Sequence, residues 1–262
     1  MAKMPALFVG HGSPMNLVLE NDYTRGLRQL GPRLPRPEAI CVVSAHWLTR
    51  GTFVSCQPEP RQIYDFYGFP QELYEIRYRP QGHPGLAARA VELLRGVVPT
   101  AACDAGWGDD HAGWSVLHHL FPKADVPVFL VSIDMAAPAA THLALGRALA
   151  PLRDEGVLIL GSGNIVHNLR LADLGDVDAP PEPLGLAFDA AMKQALLAGD
   201  LETLVNYQQL GETARYAVPT PDHYYPMLYP AAVRGQGEPL SFTCEIFQNR
   251  AVSMRAFLVG EH

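Results

Sequence analysis

Short apolar runs alternate along the chain with longer amphipathic stretches. Residues 4–9, 39–44, 126–133 and 157–160 are runs of apolar residues broken only by Ser44 and Ser132, which suits strands covered on both faces, as in a parallel or mixed sheet. Residues 84–96 carry Pro near the start, Ala, Leu and Val at helical spacing, and Gly at the end, the punctuation of a helix. Residues 138–152 and 184–197 read the same way, and 241–246 and 253–259 return to strand patterning. This alternation predicts an α/β fold whose central sheet, mostly parallel or mixed, is layered between helices. Three irregular segments interrupt it, at 57–78, 104–112 and 171–183. Loops of that length inside a compact domain are usually functional or disordered. The aromatic content of the first two points to function, and the Pro/Asp-rich third is expected to be a surface excursion.

A length of 262 residues suits one α/β domain, so 1–262 is read as a single domain. With 48% hydrophobic and 18% charged residues, the chain has material for a sizeable core and lacks the bias of disorder. Twenty basic against 27 acidic residues leave a formal charge of −7 with no Lys/Arg cluster, which argues against nucleic acid as a partner. No stretch approaches the roughly 18 apolar residues of a membrane span, and the first residues are too briefly apolar for a signal peptide. Cys41, Cys56, Cys103 and Cys244 form no CxxC pair, so neither a zinc ribbon nor a dithiol site is suggested. The expected setting is the cytoplasm, with no membrane partner; the oligomeric state is not legible.

Within this thin charge inventory the chain carries ten histidines. His11 follows PALFVG, His46 follows ICVVSA, and His167 lies six residues beyond VLILG. In open α/β sheets ligands bind outside the carboxyl ends of the strands, so all three are expected on the binding edge. Glycines at 10, 12, 161 and 163 permit tight turns beside them. Neutral imidazole is the commonest protein ligand for transition metals, and several on one edge suggest a metal site. A single strand-end histidine is more often a hydrogen-bonded structural group, so the inference rests on their number. His223, in PTPDHYYP, joins the set beside Asp222 and an aromatic run; a rigid turn entering a buried helix would look the same. His111, between Asp110 and Ala112, is expected to be drawn toward the imidazolium form by adjacent carboxylates, as an acid or a hydrogen-bond donor to substrate. A solvated loop histidine beside aspartates is its plainer reading. His83, His118, His119, His142 and His262 stand in helical or terminal contexts and read as structural. The GxSxG elbow, the GxGxxG fingerprint and HExxH are all absent.

Six ordered motifs carry a family resemblance: GHGSPMN at 10–16, SAHW at 44–47, DFYGFP at 65–70, WGDDHAGW at 107–114, GSGNIVHNL at 161–169 and TPDHYYP at 220–226. Together they resemble the class III extradiol ring-cleavage dioxygenases, in the branch similar to 4,5-DOPA dioxygenases. The resemblance implies that His11, His46 and His223 are metal ligands. It implies that His167 is an acid/base able to ligate when substrate is absent, and that His111 is a catalytic pocket histidine. It implies Fe(II) for activity, with Zn(II) able to occupy the site in purified protein, and a catechol and O2 as substrates, giving a muconic semialdehyde-type product. A histidine near neutral pKa would serve as both base and acid. Trp47, Phe66, Tyr67, Tyr224 and Tyr225 are candidates for a ring-stacking wall, or for ordinary core aromatics. Tyr64 departs from the family pattern, standing where relatives often have His, so substrate positioning by its loop is open. Two other readings compete: a zinc-dependent hydrolase on the same histidines, and a non-enzymatic interaction protein. Loss of chemistry usually leaves ligand positions substituted, and here all are filled, which favours an enzyme.

Overall fold

The structure is a computed structural model and describes residues 3–103 and 106–261. Ten strands are present among them: β1 (Ala6–Gly10), β2 (Ala39–Thr49), β3 (Thr52–Ser55), β4 (Thr100–Cys103), β5 (Val128–Asp134), β6 (Val157–Gly163), β7 (Leu240–Cys244), β8 (Phe247–Gln248), β9 (Val252–Ser253) and β10 (Ala256–Val259). Eight form one sheet in the order β4-β3-β5-β2-β6-β1-β10-β7, and β8 pairs with β9 apart from it. The centre, β5-β2-β6-β1, is parallel throughout. β10 and β7 add antiparallel at one end, and at the other β3 meets β5 antiparallel and β4 parallel. The expected single α/β domain with a mixed, mostly parallel sheet is therefore what the chain forms.

Alternate residues of the central strands face opposite layers, because successive side chains on a strand point to opposite faces. Ala6, Phe8, Cys41, Val43, Val157 and Ile159 belong to one buried cluster, with Ala87 and Leu94 of helix Pro84–Arg95 and with Phe188 and Met192 of helix Pro183–Ala198. Leu7, Val9, Ile40, Val42, Leu158 and Leu160 belong to the other, with Leu27 of helix Asp22–Leu30 and Trp114 of helix His111–Leu120. Coverage on both faces is why these strands read as nearly unbroken apolar runs.

Several boundaries differ from expectation. The 138–152 stretch is helical over Ala139–Ala148 and tightens to a 3-10 turn at Ala150–Arg153, where Pro151 stops the α-helix. The segment 253–259 is split between β9 and β10. β3 and β4 are too short, and helix His111–Leu120 too apolar on all sides, to stand out by periodicity. Of the segment 104–112, residues 104 and 105 lie outside the described residues. Among the described residues no helix is long and apolar enough to cross a membrane, and Cys41 and Cys244 are in no disulfide.

Candidate metal centre

The carboxyl ends of β1, β2 and β6 lie side by side, and the chain bends sharply at each. His11 follows β1 and donates its backbone N–H to the Gly163 carbonyl at 3.0 Å. The next residue, Gly12, sits at φ 63°, a left-handed turn open to glycine at little cost. His46 lies inside β2, where the pairing with β5 shifts register between Val43 and Leu48. The Ser44 hydroxyl accepts the His46 backbone N–H at 3.1 Å and donates to Asp110 at 2.7 Å, satisfying the irregularity that turns the side chain inward. His223 rests on the end of β6: a Cβ on Gly163 would stand 2.1 Å from the His223 carbonyl oxygen, so only glycine permits the approach.

The three imidazole centroids form a triangle with each side 5.2 Å. One ring nitrogen from each lies within 4.8 Å of the others. The second nitrogen of each ring is tied down. His46 Nδ1 meets Asp65 Oδ2 at 2.6 Å, and His223 Nδ1 meets Asp222 Oδ2 at 2.5 Å. His11 Nδ1 lies 3.2 Å from Ser162 Oγ, and that hydroxyl donates its own proton to the Ala112 carbonyl at 2.5 Å. Acceptors at all three Nδ1 positions put the proton there and leave each Nε2 lone pair free, the arrangement that orients metal-bound histidines. His46 Nε2 is buried with no hydrogen-bond partner among the described residues. A buried orphan nitrogen is costly, and a divalent cation held between it and a ring nitrogen each of His11 and His223 satisfies it. The donor set therefore fits a metal ion.

Charge around the cluster is balanced by carboxylates. Burial pushes the His11 imidazolium well below its ordinary value, and the neighbouring histidines push it further. Burial also lowers His223 despite Asp222. Burial opposes the charged form of His46 too, but Asp65, Asp110 and Asp222 outweigh it and raise the group. Desolvation would raise the Asp65 carboxyl, yet hydrogen bonds from His111 and His46 hold it well below the usual carboxylate range.

His111 is the first residue of its helix, capped by Asp110, whose carboxylate accepts the Gly113 N–H at 3.3 Å. Its expected imidazolium state is corrected here. Asp110 is engaged by Ser44, Trp107 and the helix end, and the group on His111 is Asp65, which accepts both its backbone N–H at 2.8 Å and its Nδ1–H at 3.0 Å. Burial, with the charge of His46, lowers His111 in spite of Asp65, so the ring is neutral and its Nε2 an acceptor. His167 bridges to Val252, donates its backbone N–H to the Ala217 carbonyl at 2.9 Å, and stacks on His223 with centroids 3.6 Å apart. It is grouped with Asp222 and His223, not with His11 and His46. Its pKa is not near neutral: burial, with His223 beside it, pushes it down to about 2.

Over the cluster lies a cavity of about 670 Å³, lined by all five histidines and by Met15, Phe66, Phe69 and Val252 among others. Of the aromatic wall candidates, Phe66 and Tyr67 line it. Trp47, Tyr224 and Tyr225 are core: Tyr224 donates its hydroxyl to the Leu204 carbonyl at 2.8 Å, and Tyr225 stacks on buried His142. Tyr64 also turns away, its hydroxyl donating to the Ile76 carbonyl at 2.6 Å while its ring packs on Trp114. His83 caps its helix by accepting the Leu86 N–H at 3.1 Å, and His119 meets the Asn16 carbonyl at 2.9 Å, both structural as expected. His118 and His142 are likewise outside the cavity lining, and His262 lies outside the described residues. Asp65 and Ser162 were missed as site residues. The sequence signals for them were membership of the DFYGFP motif at 65–70 for Asp65 and of the GSGNIVHNL motif at 161–169 for Ser162, with no role attached to either.

Comparison with known proteins agrees with this chemistry. A family model described as the catalytic LigB subunit of aromatic ring-opening dioxygenase matches residues 4–253. The chain is 45% identical over 261 residues to a protein of Escherichia coli (strain K12) named 4,5-DOPA dioxygenase extradiol, covering 98% of this chain and 95% of that one. It is 35% identical to a protein of the same name from Beta vulgaris, covering 84% and 83%. A crystal structure of an uncharacterized protein from Escherichia coli K12 superposes with a TM-score of 0.86 at 41% identity, covering 98% of this chain and 100% of that one.

Proposed function

The chain belongs to the LigB family of class III extradiol ring-opening dioxygenases, and from that premise we propose that His11, His46 and His223 hold its metal, that the metal is Fe(II), and that His167 moves the proton. The protein is an extradiol dioxygenase of the 4,5-DOPA dioxygenase type, an oxidoreductase that cleaves a catechol ring with incorporation of O2. Family membership sets aside the hydrolase and interaction-protein readings, and enzymes of this family use a metal at the histidine cluster. The observation that carries the ligand assignment is the 4.8 Å grouping of three ring nitrogens whose Nδ1 partners leave Nε2 free.

When bound, the ferrous ion would supply a Lewis acid and the one-electron chemistry that couples a catechol to O2. The chain's own residues do the rest. His167 is neutral before substrate enters, because burial and His223 lower its pKa, and it lines the cavity beside the ligand set, so its ring nitrogen is free to accept a proton. It takes one catechol hydroxyl proton as the diol is deprotonated and returns it as the ring bond between a hydroxylated carbon and its neighbour breaks. His111, its Nδ1–H held by Asp65, offers Nε2 as an acceptor to a second substrate hydroxyl. Phe66, Phe69 and Met15 exclude water, which strengthens each polar contact at the cavity floor. Zn(II) favours the same nitrogen donors and would fill the site without turnover. We read residues 1–262 as one catalytic domain, since ligands come from position 11 to position 223, and place it in the cytoplasm, where thiols such as that of buried Cys41 stay reduced.

The test is oxygen uptake by anaerobically Fe(II)-loaded protein supplied with catechols, including DOPA. One O2 consumed per catechol, with a coloured semialdehyde product, is expected; no uptake with any catechol would overturn the reading.

A further inference from the structure

The cavity has two unlike ends. Its floor is the buried His11, His111 and His223 with the half-buried His46. Its mouth is apolar and open, with Tyr67 88%, Leu174 73% and Leu169 55% exposed. At about 670 Å³ it falls in the range of sites for drug-sized ligands, so a substituent on a catechol ring stays within the mouth. Among the described residues no Lys, Arg, Asp or Glu lines it. Besides the histidines, Tyr67, Ser13 and Asn249 are its polar lining side chains, none of them charged, and Ser13 and Asn249 each also hold a backbone group. Ser13 accepts the Met15 N–H at 3.2 Å, and the Asn249 amide donates to the Asp173 carbonyl at 2.8 Å.

Selective capture of a carboxylate or an ammonium requires an opposite charge or a set of free donors or acceptors, because an unpaired charge is better left in water. The mouth offers no opposite charge, and its most exposed polar group, the Tyr67 phenol, stands in water that competes for the head. What it offers is a ring face and two Leu side chains, suited to an apolar stem. We propose that the enzyme reads the catechol ring and the apolar stem of its substituent and is blind to the charged head beyond it. An amino-acid head of either hand, an amine alone, a carboxylate alone and a plain alkyl chain are then accepted alike. This inference rests on the catechol reading above.

The test compares L-DOPA, D-DOPA, dopamine, 3,4-dihydroxyphenylpropionate and 4-propylcatechol. The readouts are kcat/KM on Fe(II)-loaded protein and calorimetric affinity on Zn(II)-loaded protein, which binds without turnover. Expected is a spread of about threefold or less between the DOPA enantiomers and about fivefold across the series in both readouts, against the orders of magnitude that a hydrogen-bonding head-group site imposes. A preference of about tenfold or more for L-DOPA over D-DOPA, or a loss of that size when amine or carboxylate is removed, overturns the inference while leaving the dioxygenase reading intact. Leu174→Arg supplies the missing charge and is expected to raise the preference for dihydroxyphenylpropionate over propylcatechol about fivefold or more. An unchanged ratio contradicts the placement of the stem. Equal binding without cleavage of any catechol supports the inference and sinks the dioxygenase reading. If no catechol binds, both fall.

Discussion

Asp65 spends one carboxylate oxygen on each of two histidines, Oδ2 on His46 and Oδ1 on His111, and so couples a proposed metal ligand to a cavity residue. Partners of this kind fix ring orientation and tautomer, and their loss typically costs 10–100-fold in metal affinity. Asp65→Ala is expected to weaken Zn(II) or Fe(II) binding by about that factor in a chelator competition, with Asp65→Asn intermediate. An unchanged affinity would show that His46 is oriented without it. His167→Ala should behave oppositely, retaining metal in elemental analysis while kcat falls about 100-fold or more, the contribution usual for a positioned acid/base. The histidines themselves were legible because each sits where a strand or a turn ends. Their partners were not: Asp65 is 19 positions from His46, and Ser162 is 151 from His11, distances no local pattern spans. The protonation state of His111 was misjudged for the same reason. Its sequence neighbour is Asp110, whereas its hydrogen-bond partner in space is Asp65.

The end of β6 is where the backbone does most to shape the site. Gly163→Ala would drive a Cβ to within 2.1 Å of the His223 carbonyl oxygen and push that loop off the strand. Loss of about 1–3 kcal/mol in urea unfolding is expected, together with weaker metal binding. Wild-type affinity in this variant would mean that the loop yields without moving His223. Helix Ala139–Ala148 carries a titration of its own. Its His142 accepts the Tyr229 hydroxyl at Nδ1, 3.0 Å, and donates from Nε2 to the Asp134 carbonyl, 3.1 Å, which fixes the neutral tautomer. Burial pushes it down from 6.5 to about 4. As pH falls from about 6.5 to about 4 the unfolded chain takes up a proton that the native chain refuses, so stability is lost by up to ~1.4 kcal/mol per pH unit across that window. His142→Phe is expected to be less stable at neutral pH but to show a shallower decline in urea midpoint between pH 6.5 and pH 4.5. Parallel slopes for the two proteins would contradict this. The long central strands and the capped helices were readable from apolar runs and from Pro and Gly punctuation. β3, β4 and the helix of His111 were not, being short or apolar on every side.

At the scale of the whole molecule, the proposed ligands come from three segments, with His11 and His223 separated by most of the chain, so a bound ion links parts of the fold far apart in sequence. An ion that binds only the native state should raise stability by about 2.7 kcal/mol at a hundred times its dissociation constant. A metal-dependent rise in Tm is expected for the wild type and absent from His11→Ala and His223→Ala; an equal rise in these variants would place the ion elsewhere. The acidic balance and low charge fraction also fit the site, since a catechol and O2 call for an apolar cavity around one ion more than for a charged surface. The most direct measurement is the mass of the product formed from a catechol and doubly labelled O2 by the Fe(II)-loaded protein. A ring-opened semialdehyde carrying both labelled atoms, formed by the wild type and not by His46→Ala, is the predicted result. A product with no label, a dicarboxylate from cleavage between the two hydroxylated carbons, or undiminished turnover in His46→Ala would contradict it.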